Sequence, residues 1–105
     1  MEDFRTIYKI LRILQKAMDL EEFDPEELSA EALGLTVPKW SRLMVMLLKE
    51  GYISGGEIVI AMDCGYPKVA MNRPELTMKG LEYLEENGLM RKAAGLAKGI
   101  IGTAL

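Results

Sequence analysis

The chain has 105 residues, half of them hydrophobic and 28% charged, with a net charge of −3, a balance that fits one globular domain able to bury its core without metal or disulfide help. It contains no histidine and a single cysteine, Cys64, which excludes a cysteine–histidine zinc site, an intramolecular disulfide and imidazole acid–base chemistry. No apolar run approaches the roughly eighteen residues of a membrane span, and the opening residues Glu2, Asp3 and Arg5 do not read as a secretory signal, so the expected compartment is the cytoplasm.

From Asp3 to Met18 the apolar residues Phe4, Ile7, Tyr8, Ile10, Leu11, Leu14 and Met18 recur at spacings of three and four, the period of one helical face. Arg5, Lys9, Arg12 and Lys16 form a basic stripe elsewhere on that helix, read either as a solvated face or as a stripe for phosphates or an acidic partner. An acidic cluster follows, from Asp19 to Glu27. Within it, Asp24-Pro25 is a helix-start signal: Asp as cap, Pro at the first helical position, and glutamates at the positive end of the dipole. The cluster lacks the spaced loop and central glycine of a calcium site. Ser29 then caps a compact helix from Ala30 to Leu33, which Gly34 ends in a left-handed turn.

Thr36 is placed to cap the next helix, Val37 to Glu50, with Pro38 tolerated in the first turn. At about 100° per residue, Trp40, Leu43, Met44, Leu47 and Leu48 share a core face. Pro38, Arg42, Val45, Met46 and Lys49 share the opposite one, with Lys39 beside them. This second face is the one that would enter a DNA groove. Lys39 and Arg42 lie in the first turns, where recognition helices carry their base-reading side chains, and Ser41 and Lys49 would contact base edges or phosphates. Val45 and Met46 suit thymine methyl groups and suit a protein interface equally. Trp40 reads as core rather than as a stacking platform.

Glu50-Gly51 ends this helix, and Tyr52-Ile53 enter extended structure. Ile58, Ile60 and Met62 then alternate with Val59, Ala61 and Asp63, a strand pattern. Cys64-Gly65-Tyr66-Pro67 forms a turn, and Lys68 to Met71 a return strand that Arg73-Pro74 leaves. Lys68 and Arg73 would reach phosphates from this hairpin or serve solubility alone. Cys64 has no sequence neighbour apart from Lys68 to activate its thiol, and reads as a bystander. Thr77 caps a helix from Met78 to Glu86 that buries Leu81 and Leu84 with Tyr83 at the margin, and Asn87-Gly88 breaks it. A last helix from Leu89 to Ile101 contains interior glycines that each cost about 1 kcal/mol relative to alanine. It therefore needs a surface to lie on, either its own domain or a second copy in a homodimer, with Met90, Ala94, Ala97 and Ile101 on the contacting face. The organisation expected is a domain at 1–88 and a C-terminal helix at 89–105.

Charge is unevenly spread: −5 over residues 1–35, +2 over 36–79 and zero over 80–105. The basic excess is small and falls on the second long helix and the hairpin. Together the elements predict an α+β chain, mainly helical: a winged helix-turn-helix with a two- to three-stranded β-hairpin wing and an additional C-terminal helix.

The segments FRTIYKILRILQKAM, FDPEELSAEALGL, LLKEGYI and LTMKGLEYLEENGLMRKAAGLAKGI resemble the YjcQ-like family, small winged-helix proteins of Gram-positive bacteria often met in prophage regions. The resemblance spans nearly the whole chain and is most specific from Leu76 to Asn87. It implies a fold and a phage or prophage setting; it carries no catalytic residue, cofactor or operator onto this chain. The expected function is a DNA-binding transcriptional regulator contacting double-stranded DNA through Lys39, Ser41, Arg42, Lys49, Lys68 and Arg73. The alternative is a protein-interaction module, homodimeric or bound to a host or phage protein, using Val45, Met46, Met90, Ala94, Ala97 and Ile101. An enzyme is not expected: the chain has no phosphate-binding glycine loop, no serine elbow and no carboxylate pair spaced for a shared proton, metal or cofactor.

Overall fold

The computed structural model describes residues 2–59, 63 and 65–99, with side chains described as far as residue 88. The order is helix α1 (Glu2–Ala17), a 3₁₀ turn (Pro25–Leu28), α2 (Ala30–Leu33), α3 (Val37–Glu50), strands β1 (Ile53–Val59) and β2 (Lys68–Leu76), and helix α4 (Met78–Gly99). The chain is thus α+β and mostly helical, with one two-stranded antiparallel hairpin among the described residues.

The helix ends follow from local chemistry. The Asp24 carboxylate accepts the Glu26 N–H at 3.0 Å, starting the 3₁₀ turn. The Ser29 hydroxyl accepts from Ala32 N–H at 3.0 Å and donates to the Glu26 carbonyl at 3.0 Å, so one side chain joins that turn to α2. At Gly34, with φ of 71°, the Leu35 N–H reaches back to Ala30 O at 2.8 Å. The same glycine-ended closure recurs at Gly51, φ 81°, where Tyr52 N–H donates to Leu47 O at 3.0 Å; in both, a left-handed residue turns the chain back onto carbonyls the helix leaves unpaired. The Thr36 hydroxyl accepts from Lys39 N–H at 3.3 Å and opens α3.

The core is built from Ile10, Leu11 and Leu14 of α1, Leu28 of the 3₁₀ turn, Met44 and Leu47 of α3, Ile53 of β1 and Leu84 of α4. Trp40 packs against it, its indole N–H donating to Leu28 O at 2.7 Å, which satisfies the ring's one polar atom. Phe4 and Met18, expected on the buried face of α1, are more than half exposed. Phe4 sits in the first turn of the helix and Met18 just past its end, beyond the stretch that Ile10, Leu11 and Leu14 press into the core.

Two boundaries differ from the sequence reading. First, β2 does not end before Arg73-Pro74 but runs on to Leu76, pairing Ser54 with Glu75 and Ile53 with Leu76. The ladder skips from Ser54↔Glu75 to Gly56↔Met71, so Asn72, Arg73 and Pro74 bulge opposite Gly55. A bulge is where a strand can hold a proline without losing a ladder donor. Gly55, at φ 87°, lies so close to the Arg73 carbonyl that no side chain would fit. Second, α4 continues through Asn87-Gly88 to Gly99. Asn87 donates its side-chain amide to Tyr83 O at 2.8 Å, one turn back, and Gly88 is not left-handed. The division expected after residue 88 therefore falls inside a helix of 22 residues, about 33 Å long at 1.5 Å per residue. The segment 60–62, Cys64 and Ile101 lie outside the described residues, as do the side chains of Met90, Ala94 and Ala97.

The start of α4 is bound tightly to the end of α3. The Thr77 hydroxyl donates to the Gly51 carbonyl and accepts from Gly80 N–H at 3.1 Å, while Thr77 N–H donates to Tyr52 O at 3.2 Å. A Cβ on Gly80 would lie 2.5 Å from Leu76 Cδ1 and closer still to the Tyr52 carbonyl oxygen.

Candidate nucleic-acid interface

Helix α3 buries more of its circumference than one-face periodicity suggests. Leu43, Met44 and Leu47 are buried as expected, but so are Ser41, 3% exposed, and Val45, 7% exposed. Both strands of the hairpin pack against α3. The burial of Ser41 and Val45 corrects two assignments. Ser41 has no surface from which to reach a base edge, and Val45 is not available to a thymine methyl or a partner.

Apart from Val37 at its first residue, what stays outside on α3 is a narrow ridge of Lys39, Arg42, Met46, Lys49 and Glu50. On a helical wheel these five span about 100°. Three are cationic and one, Met46, is apolar and 50% exposed.

Two of the cations are already engaged. Lys39 Nζ lies 2.8 Å from an Asp3 carboxylate oxygen in the first turn of α1. A guanidinium nitrogen of Arg42 donates to the Gly65 carbonyl at 3.3 Å, joining α3 to the connection between the strands. Lys49 makes no ion pair among the described residues. From the hairpin, Lys68 opens β2 opposite Val59, on the side nearer that connection. Arg73 lies in the bulge at the other end, pairs with Glu75 at 3.6 Å, and lines a shallow groove with Glu22, Phe23 and Asn72. The structure therefore groups Lys39, Arg42 and Lys49 on one ridge, ties that ridge to the hairpin connection through Arg42, and sets Arg73 apart. Sequence reasoning missed Asp3 and Gly65 as partners, because a contact between residues so far apart in the chain leaves no local signal.

At the other end of α3, Tyr52 meets Tyr83 edge to face with centroids 5.3 Å apart, and Lys79 Nζ stands 5.1 Å from the Tyr52 ring centre. Burial, then the charge of Tyr52, raises the Tyr83 hydroxyl above its ordinary pKa. Among the described residues no three cysteine, aspartate or glutamate side chains gather to hold a metal ion, and no helix is long and apolar enough to cross a membrane.

Residues 8–102 match the family model described as YjcQ protein. No curated protein and no solved structure gives a significant match. With nearly its whole length covered, the chain belongs to the YjcQ family.

Proposed function

We propose that this YjcQ-family protein is a winged helix-turn-helix protein that contacts double-stranded DNA, with α3 as the recognition helix and the β1–β2 hairpin as the wing, and that it acts by binding rather than catalysis. The reading extends to a phage or prophage transcriptional regulator on the strength of the family resemblance alone. The observation that carries it is the ridge of Lys39, Arg42 and Lys49, a continuous exposed face of α3 that core and hairpin leave uncovered beyond its first residue. Its width of about 100° suits insertion of one helix face into a major groove. Arg42 donates from one guanidinium nitrogen to a fixed backbone carbonyl, which limits its rotamers while the exposed remainder of its fork can face guanine at two points.

The test is selection of bound fragments from a random double-stranded DNA pool at roughly 0.15 M salt, where non-specific phosphate attraction is weak, beside Arg42→Ala. An enriched motif is expected, with Arg42→Ala losing about 1–3 kcal/mol of affinity and relaxing one position. Absence of any motif from the folded wild type would refute the reading.

A second reading, a protein-interaction module, is favoured by Met46, which stands 50% exposed on the ridge. It is also favoured by the net charge of −3 and by the pairing of Lys39 with Asp3. It expects an association that salt barely changes and that Met46→Asp abolishes.

A further inference from the structure

An apolar cleft of about 400 Å³ opens between the 3₁₀ turn, the start of α3 and the bulge of β2, walled by Phe23, Val37, Trp40, Met44, Met71 and Pro74. We propose that it is a binding site for a small, uncharged, apolar molecule of two to three aromatic rings. The class follows from what the walls offer. No charged side chain lines the cleft among the described residues. Its polar side-chain donors are already used: Trp40 donates its indole N–H to Leu28 O, and Ser29 donates its hydroxyl to Glu26 O. A carboxylate, phosphate or ammonium entering here would lose hydration and find no charged side chain to pair with, whereas an apolar ring loses nothing.

Size and preorganisation point the same way. The volume lies within the range of small-molecule sites, roughly 300–1,000 Å³. The walls are fixed by the hydrogen bond of Trp40, the two hydrogen bonds of the Ser29 hydroxyl and a proline in a bulged strand, so little ordering accompanies entry. Val37, 54% exposed, marks the rim open to solvent. The larger groove between α1 and α4, about 860 Å³, differs in chemistry: Arg12, Glu82, Glu85 and Glu86 line it.

Trp40 is the sole tryptophan of the chain and stands in the wall, so its emission reports occupancy. The probe is N-phenyl-1-naphthylamine, an uncharged two-ring-system amine, titrated against the full chain with no DNA present, so the result is independent of the α3 ridge. Saturable quenching of Trp40 at one probe per chain is expected. Val37→Asp, which sets a charge on the rim at an exposed helix N-terminus where an acid is tolerated, should weaken binding about tenfold or more. Met78→Asp, on an exposed residue of the α1–α4 groove, should leave it unchanged. The sulfonated analogue 8-anilinonaphthalene-1-sulfonate should bind more weakly than the neutral probe, a comparison that needs no variant. Any of four results would overturn the proposal: no saturation, more than one probe per chain, indifference to Val37→Asp in a folded variant, or preference for the sulfonate.

Discussion

Two glycines of the same helix should respond to the same substitution with opposite signs. Alanine in place of glycine inside a helix ordinarily gains about 1 kcal/mol. At Gly88 that gain should be nearly realised, because the nearest atom to a new Cβ is Tyr8 Oη at 3.7 Å, an ordinary contact. Gly88→Ala is therefore expected to stabilise by about 0.5–1 kcal/mol. At Gly80 the new Cβ would press on Leu76 Cδ1 at 2.5 Å and on the Tyr52 carbonyl oxygen. The leucine can rotate; the carbonyl cannot, since it is held by Thr77 N–H at 3.2 Å. Relief requires α4 to move off the end of α3, an overpacking cost of about 1–3 kcal/mol or somewhat more. Set against the propensity gain, Gly80→Ala should destabilise by about 1–2 kcal/mol. With 1 kcal/mol worth roughly 4–8 °C in a domain this size, thermal unfolding followed by far-ultraviolet circular dichroism should place Gly80→Ala roughly 5–15 °C below wild type and Gly88→Ala a few degrees above it. A neutral Gly80→Ala would refute the close approach of α4 to Tyr52. A destabilising Gly88→Ala would mean that Gly88 is left-handed and that the helix breaks where Asn87-Gly88 first suggests.

Thr77→Val keeps the shape but removes a hydroxyl that both donates to Gly51 O and accepts from Gly80 N–H; urea unfolding should show a loss of about 1–2 kcal/mol, and no loss would mean the two helix ends do not depend on it. The raised pKa of Tyr83 gives stability that is fully present below the unfolded tyrosine value near pH 10 and is lost as pH rises through the higher folded value. The wild type should accordingly weaken more steeply than Tyr83→Phe above about pH 10, and parallel alkaline profiles would contradict this. Asp3→Asn breaks an ion pair whose side chains are 46% and 58% exposed, so stability should change by less than about 0.5 kcal/mol. If the α3 ridge meets DNA, the same substitution frees Lys39 for a phosphate and should steepen the slope of log affinity against log salt by about 0.9 in fluorescence anisotropy; an unchanged slope would put Lys39 outside the interface.

The sequence was most legible where the determinant is local. Asp24-Pro25, Ser29, Gly34, Thr36, Gly51 and Thr77 each act within a turn of where they stand, and all six bound elements where their chemistry indicates. Legibility failed where a long-range partner overrides a local signal. Arg73-Pro74 reads as a strand end, yet Gly55 opposite gives the backbone room to carry the strand past it. Asn87-Gly88 reads as a helix stop, yet Asn87 turns its amide back to Tyr83 and the helix proceeds. For the candidate site the same limit applied more severely. Periodicity separates two faces of α3 but carries no trace of tertiary contacts on its flanks, so Ser41 and Val45 read as outward when they are covered. Lys39 and Arg42 were found on the exposed ridge, but their engagement by Asp3 and Gly65 depends on tertiary approach.

The knot at Thr77 has a consequence for how the molecule comes apart. Gly51 and Tyr52 close α3, and both give their carbonyls to Thr77, which opens α4. Neither helix terminus can fray without releasing the other, although 26 residues of chain separate the hydroxyl from the carbonyl it holds. In native-state hydrogen exchange the amides of Gly51, Tyr52, Thr77 and Gly80 should therefore open as one cooperative unit with a shared protection free energy, while the α1 terminus near Phe4 exchanges by separate, shallower fluctuations.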